Sequence, residues 1–270
     1  ALGAATRLGY GMEPDTAMLL ASYCASGRDA VNMVQLAAGA AYGEGRRQIT
    51  DGDVRWVTQI SNCQRHIQPK LPETPKAGVS VGLAVGNGGV GVAIEIECLV
   101  EPARSKGAGA LEVGGAVEYE ELELQGRRLG RKGTARTSAE NVLGAFQKNL
   151  GWDANAYDVR FNIPGGLPMD GPSAGIALAV ALMGAISGKA PIPKLALTGE
   201  ITVQGEVRPV GGVAEKLDAA IQGGAHTVLI PKANWEEAYA SLPCDVIPVE
   251  DIAQTLRLAF DIPYELTVTE

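Results

Sequence analysis

Two histidines in 270 residues leave little room for chemistry built on imidazole. The first, His66, sits among prolines, and the second, His226, opens an apolar run that reads as a strand. Four cysteines (Cys24, Cys63, Cys98, Cys244) lie far apart, and no Cys-x-x-Cys pair occurs. Zinc ligation is therefore not expected, and reduced, buried thiols are. No run of about 18 apolar residues is present, so no membrane span is expected. No secretory signal is visible, which points to a cytoplasmic protein. The pattern Gly-x-x-x-x-Gly-Lys-[Ser/Thr] is missing, so the loop that cradles ATP phosphates is missing with it. The net charge of -8 speaks against nucleic acid as a partner.

What is present falls into two compositional parts. The first 65 or so residues read as helices. Glu13-Pro14-Asp15 opens one, Ser26 with Asp29 caps a second, and Thr50 with Asp53 caps a third, each serine or threonine with its acid three residues on. Residues 67–77 hold three prolines and no period, and read as a linker. From residue 78 the pattern turns to strands: Val79–Val85 and Val90–Val100 around a glycine-rich turn, then β and α segments in alternation. Ala116–Leu124, Ile201–Val210 and a helix over Pro172–Ser187 are among the elements expected. The class is an α/β domain with a mixed sheet and packed helices, preceded by a small all-α subdomain.

Gly86-Asn87-Gly88-Gly89-Val90-Gly91 matches the dinucleotide fingerprint letter by letter. A β-run follows it where that fingerprint needs a helix, so it reads as a hairpin turn. The basic run Arg127-Arg128-Leu129-Gly130-Arg131-Lys132 reads as a solvated loop, with phosphate binding or partner docking as the other readings.

Two segments carry chemistry. Gly171-Pro172-Ser173-Ala174-Gly175 places a serine where a helix begins, close to free backbone N–H groups suited to a developing oxyanion. As a Gly-x-Ser-x-Gly sequence it also matches a hydrolase elbow, but the stretch back to the preceding strand is long and neither histidine is well placed. The second segment is Val213-Ala214-Glu215-Lys216-Leu217. On a helical wheel Val213, Leu217, Ala220 and Ile221 form an apolar stripe, with Lys216 on its flank. A lysine there either snorkels to water or, in a dry cleft, loses its proton easily enough to act as a base. Thr198, closing a strand in Leu197-Thr198-Gly199-Glu200, offers a hydroxyl to such an amine.

These motifs resemble those of the Lon protease family. Asp170-Gly171-Pro172-Ser173-Ala174-Gly175-Ile176-Ala177-Leu178 is similar to its serine signature. Leu197–Ile201 and Gly205-Glu206-Val207-Arg208-Pro209-Val210-Gly211-Gly212 are similar to the approach to its lysine, and the likeness spans nearly the whole chain. Phe161-Asn162-Ile163-Pro164-Gly165-Gly166 and the insertion near residues 116–136 look most like the LonB branch. The resemblance implies Ser173 as nucleophile, Lys216 as general base, Thr198 as the lysine's partner, and Asp170, Gly171 and Glu95 as supporting residues. It implies residues 1–66 as the lid of an AAA+ ATPase module, with Arg28 as a nucleotide-sensing arginine, and 78–270 as the protease domain. Cleavage itself then needs no cofactor, while ATP and Mg are implied for a full-length relative. Unfolded protein or peptide substrates and a homo-hexamer are implied as partners. A Ser-His hydrolase and an inactive assembly or regulatory module are the competing readings.

Overall fold

In the computed structural model the described residues are 1–24, 26–63, 65, 69–86, 89–105, 107–115, 120–124, 127–131, 134–164 and 172–261. The chain separates into two compact units, one formed by residues 1–67 and, the hairpin tip apart, one by the remainder.

The first unit is helical: α1 (Leu2–Arg7), β1 (Gly11–Met12), α2 (Pro14–Ala21), α3 (Gly27–Gly43), β2 (Gln48–Ile49) and α4 (Asp51–Ile60). Its core gathers Leu20, Val34, Ala37, Val54 and Val57, the inward stripes of the three longer helices, together with Ile49 of β2. The caps form as expected. The Ser26 hydroxyl accepts the Asp29 N–H at 3.2 Å. The Thr50 N–H donates to Asp53 at 2.8 Å, giving a capping box. Asp53 is buried and also takes both arms of the Arg46 guanidinium, each at 2.8 Å. That pairing holds its carboxyl down at about 2. The short α1 and the two-residue β1 and β2, which pair in parallel, have too few residues to show a period and are not foreseen from sequence.

The second unit is built on a seven-stranded mixed sheet. In chain order its elements are β3 (Val79–Val85), β4 (Gly91–Pro102), β5 (Leu111–Gly114), β6 (Glu120–Leu124), β7 (Arg127–Arg131), α5 (Thr134–Leu150), β8 (Tyr157–Asn162), α6 (Gly175–Ser187), β9 (Leu195–Leu197), β10 (Glu200–Ile201), β11 (Val207–Arg208), α7 (Val213–Gln222), β12 (Thr227–Pro231), β13 (Asp245–Val249) and α8 (Ile252–Ala259). The sheet order is β13-β12-β9-β3-β4-β8-β5, with β6-β7 and β10-β11 as separate ribbons. Only β4 runs against its neighbours. Consequently β3, β5, β8, β9, β12 and β13 all end at one rim of the sheet.

Strand alternation sends Ile94, Ile96, Leu195 and Leu197 to one face and Val81, Leu83, Ala93 and Ala196 to the other. On the first face lies α6, with α5 and α8 packed against it in turn. Every residue of α6 from Gly175 to Leu182 is buried, as a helix apolar on all sides must be. On the second face α7 covers β3 and β4. The segment beginning at Pro69 is strapped to this unit: Leu71 is buried in the second-face core, and its N–H donates to the Gly223 carbonyl at 2.9 Å.

Some expected elements change. The long strand Ile201–Val210 is a tight ribbon, β10 and β11, because Gly205 takes φ +88° and its N–H closes a turn on the Thr202 carbonyl at 2.9 Å. Within the basic run, Arg127–Arg131 is not a loop but β7, paired antiparallel with β6, while Lys132 lies outside the described residues. β5 escapes notice because four residues between glycines carry no readable alternation. Two 3₁₀ turns, Lys232–Asn234 and Glu237–Ser241, stand where the sequence suggests a short helix from Asn234.

Candidate active site

Thr198 directly follows β9, and the Gly82–Leu197 register sets it level with Leu83, near the common rim. The hydroxyl-bearing Ser173 is stitched to the same place. Its carbonyl accepts the Gly199 N–H at 2.9 Å and the Thr198 hydroxyl at 3.5 Å. The Ile176 N–H returns the tie to the Gly199 carbonyl at 3.1 Å. This closeness demands glycine at 175, where a Cβ would lie 2.5 Å from the Ile201 nitrogen. Gly175 and Gly199 are thus parts of the site that motif reading left without a role; the dense glycine spacing was their only signal.

Ser173 itself lies ahead of the helix that was expected over Pro172–Ser187. α6 begins at Gly175, Ala174 holds the cap position, and no side chain bonds there. The Gly175 N–H turns back to the Pro172 carbonyl at 3.2 Å, so Ser173 sits in a turn just ahead of the helix, half-buried. Among the described residues no acceptor takes the N–H of Ser173 or of Ala174. Two backbone donors therefore stand open beside the hydroxyl, at the positive end of α6.

Lys216 lies one turn into α7. The start of that helix presses on the facing ends of β3 and β4. A Cβ on Gly91 would overlap the Glu215 carbonyl, and one on Gly212 would lie 2.5 Å from Val85. The same rim therefore carries Ser173 from one face and α7 from the other. Lys216 is not on the flank of the buried stripe but within it, only 3% exposed. Ile221, assigned to that stripe, is only partly buried, and Ala219 takes its place. Among the described residues nothing forms a hydrogen bond or ion pair with the Lys216 amine. Burial alone pulls its pKa from the ordinary 10.5 to about 8.

The other expected residues are less concentrated. The Thr198 side chain is wholly buried and faces the Ser173 carbonyl, with no hydrogen bond to Lys216. The Ser173 hydroxyl and the Lys216 amine likewise share none. Glu95 is exposed on β4, opposite Val81 and four residues from the Gly91 end. Arg28 is exposed in the first turn of α3, in the helical unit. Asp170, Gly171 and His66 lie outside the described residues. His226 is exposed and precedes β12, at the opposite rim from Ser173, which removes the basis for a Ser-His pair. Among the described residues no cluster of His, Cys, Asp and Glu could hold a metal ion.

Residues 53–260 match the Lon protease (S16) C-terminal proteolytic domain. The chain belongs to the Lon protease family. It is 40% identical over 240 residues to Lon protease 2 of Bacillus subtilis, an alignment that covers 88% of this chain and 43% of that protein. Against the Lon protease of Vibrio parahaemolyticus it is 34% identical over 230 residues, 79% of the chain and 27% of the relative. Against the archaeal Lon protease of Pyrococcus abyssi it is 30% identical over 249 residues, 86% and 24% respectively. The chain thus spans less than half the length of these curated relatives. This Lon proteolytic domain is a peptidase domain by family. Among the described residues no helix is long and apolar enough to cross a membrane.

Proposed function

We propose that the domain is a serine endopeptidase of the Ser-Lys type, acting on unfolded proteins and peptides. The Ser173 hydroxyl oxygen attacks the scissile carbonyl as its proton passes to the neutral Lys216 amine. The carbonyl oxygen, now negative, meets the open N–H groups of Ser173 and Ala174. Collapse of this intermediate expels the leaving amine, which takes the proton from the Lys216 ammonium. Water then attacks the acyl-serine by the same route, and Lys216 accepts and returns one further proton. No residue here needs a metal for these steps.

The observation that carries the reading is Lys216: a residue only 3% exposed, with no carboxylate beside its amine among the described residues. An unpaired buried lysine costs the fold stability, and functional sites are where such costs concentrate. With a pKa of about 8, roughly a tenth of Lys216 is neutral at pH 7, and most of it is at pH 9. Cleavage of a fluorogenic peptide should therefore rise through about pH 8. Ser173→Ala and Lys216→Ala should each abolish it, and His226→Ala should leave it intact. Full activity in Lys216→Ala, or its loss in His226→Ala, sinks the proposal.

A cytoplasmic setting, a homo-hexameric ring and coupling to ATP and Mg belong to the proposal as well. The residues present do not by themselves fit a nucleotide: the sequence lacks the phosphate loop, and Arg28 stands exposed. Nucleotide therefore enters no step above. A second reading, an assembly module that does not cut, draws on the missing hydrogen bond between Ser173 and Lys216. Ring formation without cleavage, titrated on one sample, would favour it.

A further inference from the structure

The helical unit holds two thiols that peptide cleavage does not use. Cys24 follows α2, its N–H bonded to the Ala21 carbonyl at 3.0 Å, and Cys63 follows α4, its N–H bonded to the Thr58 carbonyl at 2.9 Å. The two helix ends come together. Arg65 Nε donates to the Ser22 hydroxyl at 3.0 Å, joining the residue two places after Cys63 to the residue two places before Cys24. Both cysteines are partly buried and pack on the same core. Cys63 Sγ lies 4.0 Å from Met33 Sδ, while Cys24 Sγ points to the Leu20 carbonyl at 3.2 Å. Neither sulfur is locked inside a helix, so both can turn. The other two cysteines belong to the second unit: Cys98 on β4 and Cys244 just before β13.

We propose that Cys24 and Cys63 are a reversible redox pair whose disulfide staples the end of α2 to the end of α4. With a low-molecular-weight disulfide such as oxidised glutathione, one protein thiolate attacks a glutathione sulfur and releases one glutathione thiolate. The second protein thiol loses its proton and attacks the mixed disulfide, releasing the other glutathione. Two protein thiols are oxidised to one disulfide, and one glutathione disulfide is reduced to two thiols. Burial, with Asp29 and Cys63 nearby, pushes the Cys24 thiol up to about 11, so Cys63 makes the first attack and Cys24 resolves it. The loop closed this way contains the whole of α3, β2 and α4, so oxidation tightens the helical unit without touching the sheet.

The test uses the whole chain. It is incubated with oxidised glutathione, alkylated, and digested with trypsin without reduction. The expected product joins residues 8–28 to residues 56–65, two hydrogens lighter than the separate peptides. Reactive thiols should fall from four to two and return to four with dithiothreitol. Cys24→Ser should lose the cross-link and leave Cys63 as a mixed glutathione disulfide. Four thiols still free in the folded chain, or a cross-link from Cys63 to Cys98 or Cys244 in place of Cys24, overturns the proposal.

Discussion

Replacing Lys216 by methionine should make the domain inactive and more stable at the same time. The side chains are of similar length, and methionine suits a site enclosed by Val213, Leu217 and Ala220. Lowering an ammonium from its ordinary 10.5 to about 8 costs the fold about 3 kcal/mol at pH 7. The sign follows from proton counting. Between pH 8 and 10.5 the unfolded chain binds more protons at this lysine than the folded one, so wild-type stability rises with pH across that window. Below pH 8 both states hold the proton and the cost is constant. The methionine variant has no such cost. Urea unfolding of both proteins at pH 7, 8, 9 and 10 should show the variant ahead by roughly 2–3 kcal/mol at pH 7, a gap that narrows steadily toward pH 10. In heat this corresponds to a shift of roughly 5–10 °C. A variant no more stable than wild type at pH 7, or a gap that does not shrink with pH, refutes the claim that Lys216 is held uncomfortably dry.

Three further outcomes test the surrounding geometry. Gly175→Ala should drive its methyl into the Ile201 backbone, destabilising the domain by about 1–3 kcal/mol and cutting peptide cleavage together, as read by thermal melts and the peptide assay. Thr198→Val keeps the shape but leaves the Ser173 carbonyl with the Gly199 N–H alone; stability should fall by about 1 kcal/mol, and Thr198→Ser should restore it in the same melts. Asp53→Asn should loosen the helical unit above pH 4. Its carboxyl is held down at about 2, so its contribution of about 1–2 kcal/mol is present at neutral pH and is lost as acid is added through that value. Acid titration of both forms by circular dichroism should show the difference vanish near pH 2.

The sequence was most readable where local chemistry decides structure. Ser26 and Thr50 cap α3 and α4, and β3 runs from Val79 to Val85 where the alternation puts it. It was least readable where a distant partner decides. The helix was expected to start at the serine, but the Gly199 N–H holds the Ser173 carbonyl and delays the first turn to Gly175. A helical wheel sets Lys216 beside the apolar stripe. Only β3 and β4, packed against the opening turns of α7, bring it inside, and no wheel contains them. The same limit hid β5, which exists because β8 offers it a neighbour. The family signature located both candidate residues; their depth, ties and open donors required the fold.

The helix that follows Ser173 has no face left to water between Gly175 and Leu182, with strands beneath it and two further helices above. A rod clamped on every side can neither roll nor slide without tearing the core apart. On the proposed reading the nucleophile stands at the foot of a fixed post, so on–off control would act elsewhere along the rim.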